Sequence, residues 1–119
     1  MDTLDGLYVF TATGWGIAPG APPPAVLPPK AIIEVIRFNG DGTLTVIGGT
    51  RTLNGVITQN LVGPGTYTVQ ELDGACAGSL TFDHGPSFDL FFSHHAGEIA
   101  MIQTNANNVF RGTATKLAY

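Results

Sequence analysis

With 119 residues, 44% of them hydrophobic and only 12% charged, the chain has material for one domain whose core needs no covalent staples. Its net charge of −4 sets nine acidic residues against five basic ones, too few and too scattered to track a phosphate backbone or an anionic bilayer, which excludes nucleic acid and membrane as expected partners. The single cysteine, Cys76, precludes an intrachain disulfide and suits a reducing compartment.

The opening residues Met1-Asp2-Thr3-Leu4-Asp5 carry neither the basic region nor the apolar run of a signal peptide. No stretch approaches the ~20 apolar residues of a membrane-spanning helix. The expected location is the cytoplasm, although a processed secreted chain would read the same. A first strand is expected from Gly6 to Thr13. The Pro/Gly-rich segment 14–29 follows, and its six prolines forbid a central strand or a helix interior. A connection of this length is either a lid over one end of the domain or a loop packed on its outside, anchored by Trp15 and Leu27.

Residues 31–38 and 43–47 are two β-branched runs around Asn39-Gly40-Asp41-Gly42, a hairpin signature. The first run is apolar on both alternating faces, as expected of a strand in a lined barrel or at a subunit contact. Residues 50–58 form a further strand of ambiguous type, interrupted by Asn54-Gly55. Short strands are then expected at 66–70, 79–83, 87–93, 98–104 and 109–117, separated by Gly63-Pro64-Gly65, Asp73-Gly74, Gly85-Pro86, His94-His95-Ala96-Gly97 and Asn105-Ala106-Asn107-Asn108. Eight or nine short strands at even spacing, with no helical periodicity, predict an all-β, antiparallel up-and-down β-barrel of about eight strands, filling a single domain over residues 1–119. A barrel of that size either packs its interior with side chains or holds one small ligand.

Alternation sorts the faces. Phe88, Leu90 and Phe92 share one, Tyr8 and Phe10 another, Tyr67 and Val69 a third. Leu80 pairs with Phe82 in the same way, and Ile99 with Met101. This aromatic set either fills the core or lines a cavity. Glu34 and Arg37 lie on opposite faces of an otherwise aliphatic strand. The commoner arrangement puts both on the outer surface, Arg37 pairing with Glu71 or Asp41. Turned inward, Glu34 becomes a carboxyl with raised pKa, suited to acid–base work, and Arg37 a two-pronged holder of a ligand carboxylate.

His84, His94 and His95 fall in or beside turns, without the spacing of a metal site, and no metal is expected. Cys76 has no basic neighbour in sequence and reads as a small buried thiol. No phosphate loop, dinucleotide fingerprint or nucleophile elbow occurs, so no cofactor is expected and no catalytic residue is assigned.

Gly6-Leu7-Tyr8-Val9-Phe10, Phe38-Asn39-Gly40-Asp41-Gly42, Gly65-Thr66-Tyr67-Thr68-Val69, Gly78-Ser79-Leu80-Thr81 and Val109-Phe110-Arg111-Gly112-Thr113-Ala114 together resemble the strand and turn patterns of small bacterial β-barrel proteins of the calycin and allene-oxide-cyclase-like kind. Lipocalins carry Gly-x-Trp in the first strand, where this chain has Tyr8. The resemblance implies a barrel able to enclose an apolar molecule, with both carriers and cyclases represented, and transfers no catalytic residue. The leading expectation is therefore a barrel binding a small, mostly hydrophobic molecule, with Tyr8, Phe10, Glu34, Arg37, Tyr67, Phe88 and Phe92 as candidate contacts, and a homo-oligomeric assembly. The alternatives are a cofactor-free isomerase or cyclase, and a non-catalytic oligomer with a solid core.

Overall fold

The computed structural model describes residues 4–18 and 20–117. Residues 1–3 of the N-terminal reading, Pro19 of the proline-rich segment and residues 118–119 lie outside the described residues. Nine strands follow one another: β1 (Asp5–Trp15), β2 (Pro29–Asn39), β3 (Thr43–Leu53), β4 (Val56–Thr58), β5 (Gly63–Leu72), β6 (Ala75–Phe82), β7 (Ser87–Phe92), β8 (Glu98–Gln103) and β9 (Val109–Lys116). All pairings are antiparallel, and the order β2-β1-β9-β8-β7-β6-β5-β3 closes through the β2–β3 ladder. The result is the expected eight-stranded up-and-down barrel. The short β4 stands outside the ring, paired only with the end of β3.

Several boundaries differ from the sequence expectation: Gly63-Pro64-Gly65 is not a turn but the start of β5, paired with β3, and β6 begins at Ala75 rather than Ser79. The first strand continues through Gly14 and Trp15, which pair with Lys30 and Pro29, so the connection shrinks to residues 16–28. The strand beginning at Thr43 does not stop at Ile47. It runs through Gly48 and Gly49 to Leu53, and the ambiguous 50–58 element divides between β3 and β4 at a tight turn in which Asn54 and Gly55 both have positive φ, 51° and 82°. The bridge over residues 47–49 is a β-bulge. Val35 faces Gly48 and Ile36 faces Val46, leaving Ile47 as the extra residue.

Inward residues alternate along every strand, and they fill the two halves of the barrel differently. At the end marked by the 39–42, 73–74 and 93–97 turns, Tyr8, Phe38 and Tyr67 meet edge to face with centroids 5.2 Å apart in each contact. Leu90, Phe92, Ile99, Met101 and Cys76 complete a dry core around them. Both phenols find partners there: the Tyr8 hydroxyl donates to the Ala96 carbonyl, and the Tyr67 hydroxyl to the Leu4 carbonyl at 2.6 Å. Buried Leu4 thus joins the plug at this end. At the opposite end Phe10, Phe82, Phe88 and Phe110 form a second aromatic group, with Phe10–Phe88 at 5.4 Å and Phe82–Phe88 at 5.9 Å. Above that group the interior is not filled.

Candidate binding cavity

A void of about 180 Å³ opens at this second end. Its floor and walls are largely apolar: Phe10, Ile32, Val46, Phe82, Phe88 and Phe110. Ile17 and Ala18 from the 16–28 connection, together with Leu61 and Val62, line its mouth. The connection is held down at its start by Gly16 N–H donating to the Pro28 carbonyl (2.9 Å) and Ile17 N–H donating to Asn108 Oδ1 (3.1 Å). A Cβ at Gly16 would stand 1.9 Å from Asn108 Oδ1, so a larger residue there would have to displace the side chain that holds Ile17. The segment is therefore neither wholly a lid nor wholly an outside loop: its first residues edge the void, while residues 22–26 are exposed.

Five polar side chains line this apolar cup, three of them from one ladder. Lys30 and Glu34 share the inward face of β2 with Ile32, and Arg51 of β3 is the residue paired with Ile32. At about 3.3 Å per residue, Lys30 and Glu34 stand roughly 13 Å apart along the strand, Lys30 at the rim and Glu34 deep. Glu34 is only 4% exposed, and its Oε2 has no hydrogen-bond partner. Burial alone pushes its carboxyl from the ordinary 4.5 up to about 7, since a buried, unpaired carboxylate would forfeit its hydration. Space for it comes from Gly49 directly opposite, where a Cβ would lie 2.6 Å from the Glu34 Cβ. The Arg51 Nε is likewise buried and without a partner.

Lys30 is more firmly held. Its Nζ donates to Gln103 Oε1 at 2.6 Å and to Asn108 Oδ1 at 2.7 Å, and stands 4.3 Å from the Phe110 ring centroid. Burial, and secondarily the Arg51 charge, lower its pKa to about 8. Gln103 in turn donates through Nε2 to Asn105 Oδ1 at 2.9 Å, so the β8–β9 turn fixes the orientation of the rim. The cup thus grades from a carboxyl of raised pKa at depth to two cations towards the mouth, with Asp83 on the rim.

Of the seven residues expected to contact a ligand, Phe10, Glu34 and Phe88 line the void. Tyr8, Tyr67 and Phe92 face inward but belong to the solid half, where their rings and hydroxyls are already engaged. Arg37 is exposed on the outer face of β2. The outer-surface reading therefore holds for Arg37 and is corrected for Glu34, whose strand face is the one carrying Ile36 and Phe38. Nor do the proposed partners take Arg37: Glu71 lies 3.4 Å from His94, and Asp41 accepts hydrogen bonds from the Thr43 backbone and hydroxyl.

Lys30, Arg51, Gln103 and Asn108 were not singled out by the sequence. Gln103 was within reach, because it continues the inward alternation of Ile99 and Met101. Arg51 was not, since alternation from Leu44 and Val46 turns position 51 outward unless the bulge at Ile47 is known.

Among the described residues no three His, Cys, Asp or Glu side chains group to hold a metal, and no helix is long and apolar enough to cross a membrane. No family model matches the chain, and no curated protein or solved structure does either.

Proposed function

We propose that the protein binds a small, mostly apolar molecule in the open half of its barrel. The observation that carries this reading is the contrast between the halves. One is closed by its own rings, whereas the other keeps a void of about 180 Å³ walled by phenylalanine and aliphatic side chains, with an unpartnered carboxyl at depth. An apolar cavity of about 150 Å³ in an engineered protein admits benzene. The guest is accordingly a single ring or a short branched chain, smaller than the extended lipids the calycin-like resemblance brings to mind. For a molecule of this size Kd falls between about 1 µM and 1 mM.

Titration with benzyl alcohol, followed by methyl NMR of Ile32 and Val46, tests the reading. Saturable shifts at those methyls, with Ile99 unmoved, are expected. Unsaturable shifts, or shifts spread evenly over the barrel, would refute it.

One observation favours a second reading, a cofactor-free isomerase or cyclase. Glu34 sits in an apolar cavity with its pKa near 7, where one carboxyl can both give and accept a proton. That reading requires Glu34→Gln to keep binding and lose turnover. If the variant turns over a substrate as fast as the parent, Glu34 is not its acid–base group. Self-association belongs to the proposal as well: outward Ile33 is 59% exposed on the strand expected to be apolar on both faces. A monomer at high concentration by light scattering would argue against it.

A further inference from the structure

The charges around the void select among small apolar guests. We propose that the preferred ligand is an anion, a ring-sized carboxylate whose apolar body fills the cup against Phe10, Val46 and Phe88 and whose carboxylate meets Arg51 and Lys30. The inference rests on the binding reading above and adds the chemical class of the ligand.

Three observations carry it. Arg51 reaches a wall of the void, and among the described residues no carboxylate lies within ion-pair distance of its guanidinium, so its charge is left for a guest to neutralise. Lys30 brings a second cation to the same wall. Its protein contacts are two neutral amide oxygens and a ring, so no carboxylate neutralises it there. The one carboxyl at depth, Glu34, is 4% exposed with an unpartnered oxygen, and in its protonated form it opposes no anion. Asp83 is the remaining acid along the lining, and it is exposed on the rim. A chain of net charge −4 therefore presents a cationic wall inside its only described half-empty barrel end. A planar carboxylate suits a guanidinium better than a point charge does. The Glu34 carboxyl at the deep end of the same cup further favours carboxylates that carry a hydroxyl at the far end of the ring.

Calorimetric titration of the whole protein at pH 6, where Glu34 is mostly protonated and benzoate is ionised, with benzoate, p-hydroxybenzoate, benzyl alcohol and benzylamine tests this. Benzoate is expected to bind at least tenfold more tightly than benzyl alcohol, p-hydroxybenzoate at least as tightly as benzoate, and benzylamine more weakly than all three. Arg51→Met should remove most of the advantage of benzoate over benzyl alcohol, the two affinities being compared within the same variant. Arg51→Gln serves the same purpose if the methionine variant folds poorly. Benzyl alcohol binding as tightly as benzoate, or an advantage unchanged in the Arg51 variants, would overturn the anion assignment and leave cavity binding standing. Binding of none of the four would overturn both.

Discussion

Glu34 concentrates the physical chemistry of the molecule in one side chain. Its carboxyl titrates near 4.5 in the unfolded chain and near 7 in the folded one, so the folded state holds the proton more tightly. The stability associated with the protonated form is complete below about pH 4.5 and is lost as pH rises through about 7. At roughly 1.4 kcal/mol per pKa unit the loss is of the order of 3–4 kcal/mol. Glu34→Gln, which keeps the shape and cannot ionise, should remove that dependence. Urea unfolding from pH 4 to 8 should show the variant gaining on the parent by this amount as pH rises. A constant difference would mean that Glu34 reaches solvent in the folded protein.

At the scale of elements, the β2–β3 ladder determines what enters the cup, and the bulge at Ile47 is the decisive irregularity. It reverses the alternation of β3, turning Gly49, Arg51 and Leu53 inward where an unbroken strand would have turned Gly48, Thr50 and Thr52. Adjacent glycines test this register. At Gly49 a Cβ would meet Glu34 Cβ at 2.6 Å and the Ile33 carbonyl at 2.9 Å, whereas at Gly48 it would meet nothing within 4 Å. Gly49→Ala should therefore cost about 1–3 kcal/mol by overpacking, and Gly48→Ala should change stability by no more than about 0.5 kcal/mol. Thermal unfolding of the two variants provides the comparison, and equal losses would place the bulge elsewhere.

The same ladder explains what could be read in advance. Glycine-punctuated β-branched runs made the barrel legible, because strand period and turn chemistry are local properties. The end of the β-branched run at Ile47, by contrast, is not the end of the strand: the bulge there carries β3 on through Gly48 and Gly49, and only the partner strand supplies the reason to continue. Tyr8 and Phe10 share a face equally well in either reading. Which of them meets a void depends on packing around the full circumference, and no single strand encodes that.

The whole molecule is a barrel with one end solid and the other hollow, and the two ends should respond differently to a guest. A ligand that binds only the folded state at a hundred times its Kd adds about 2.7 kcal/mol, which for a domain of this size raises Tm by on the order of 10 °C. Benzoate should produce that shift at saturating concentration, while sodium chloride at equal ionic strength should not. Equal shifts from both would indicate a general salt effect.

The most direct measurement is a crystal structure under xenon pressure, because xenon enters apolar voids irrespective of charge. Occupancy is expected between Phe10, Val46 and Phe88, with none beside Tyr8, Phe38 and Tyr67. Xenon absent from the open half, with Phe82, Phe88 and Phe110 closed over the space, would contradict a barrel built to hold a guest.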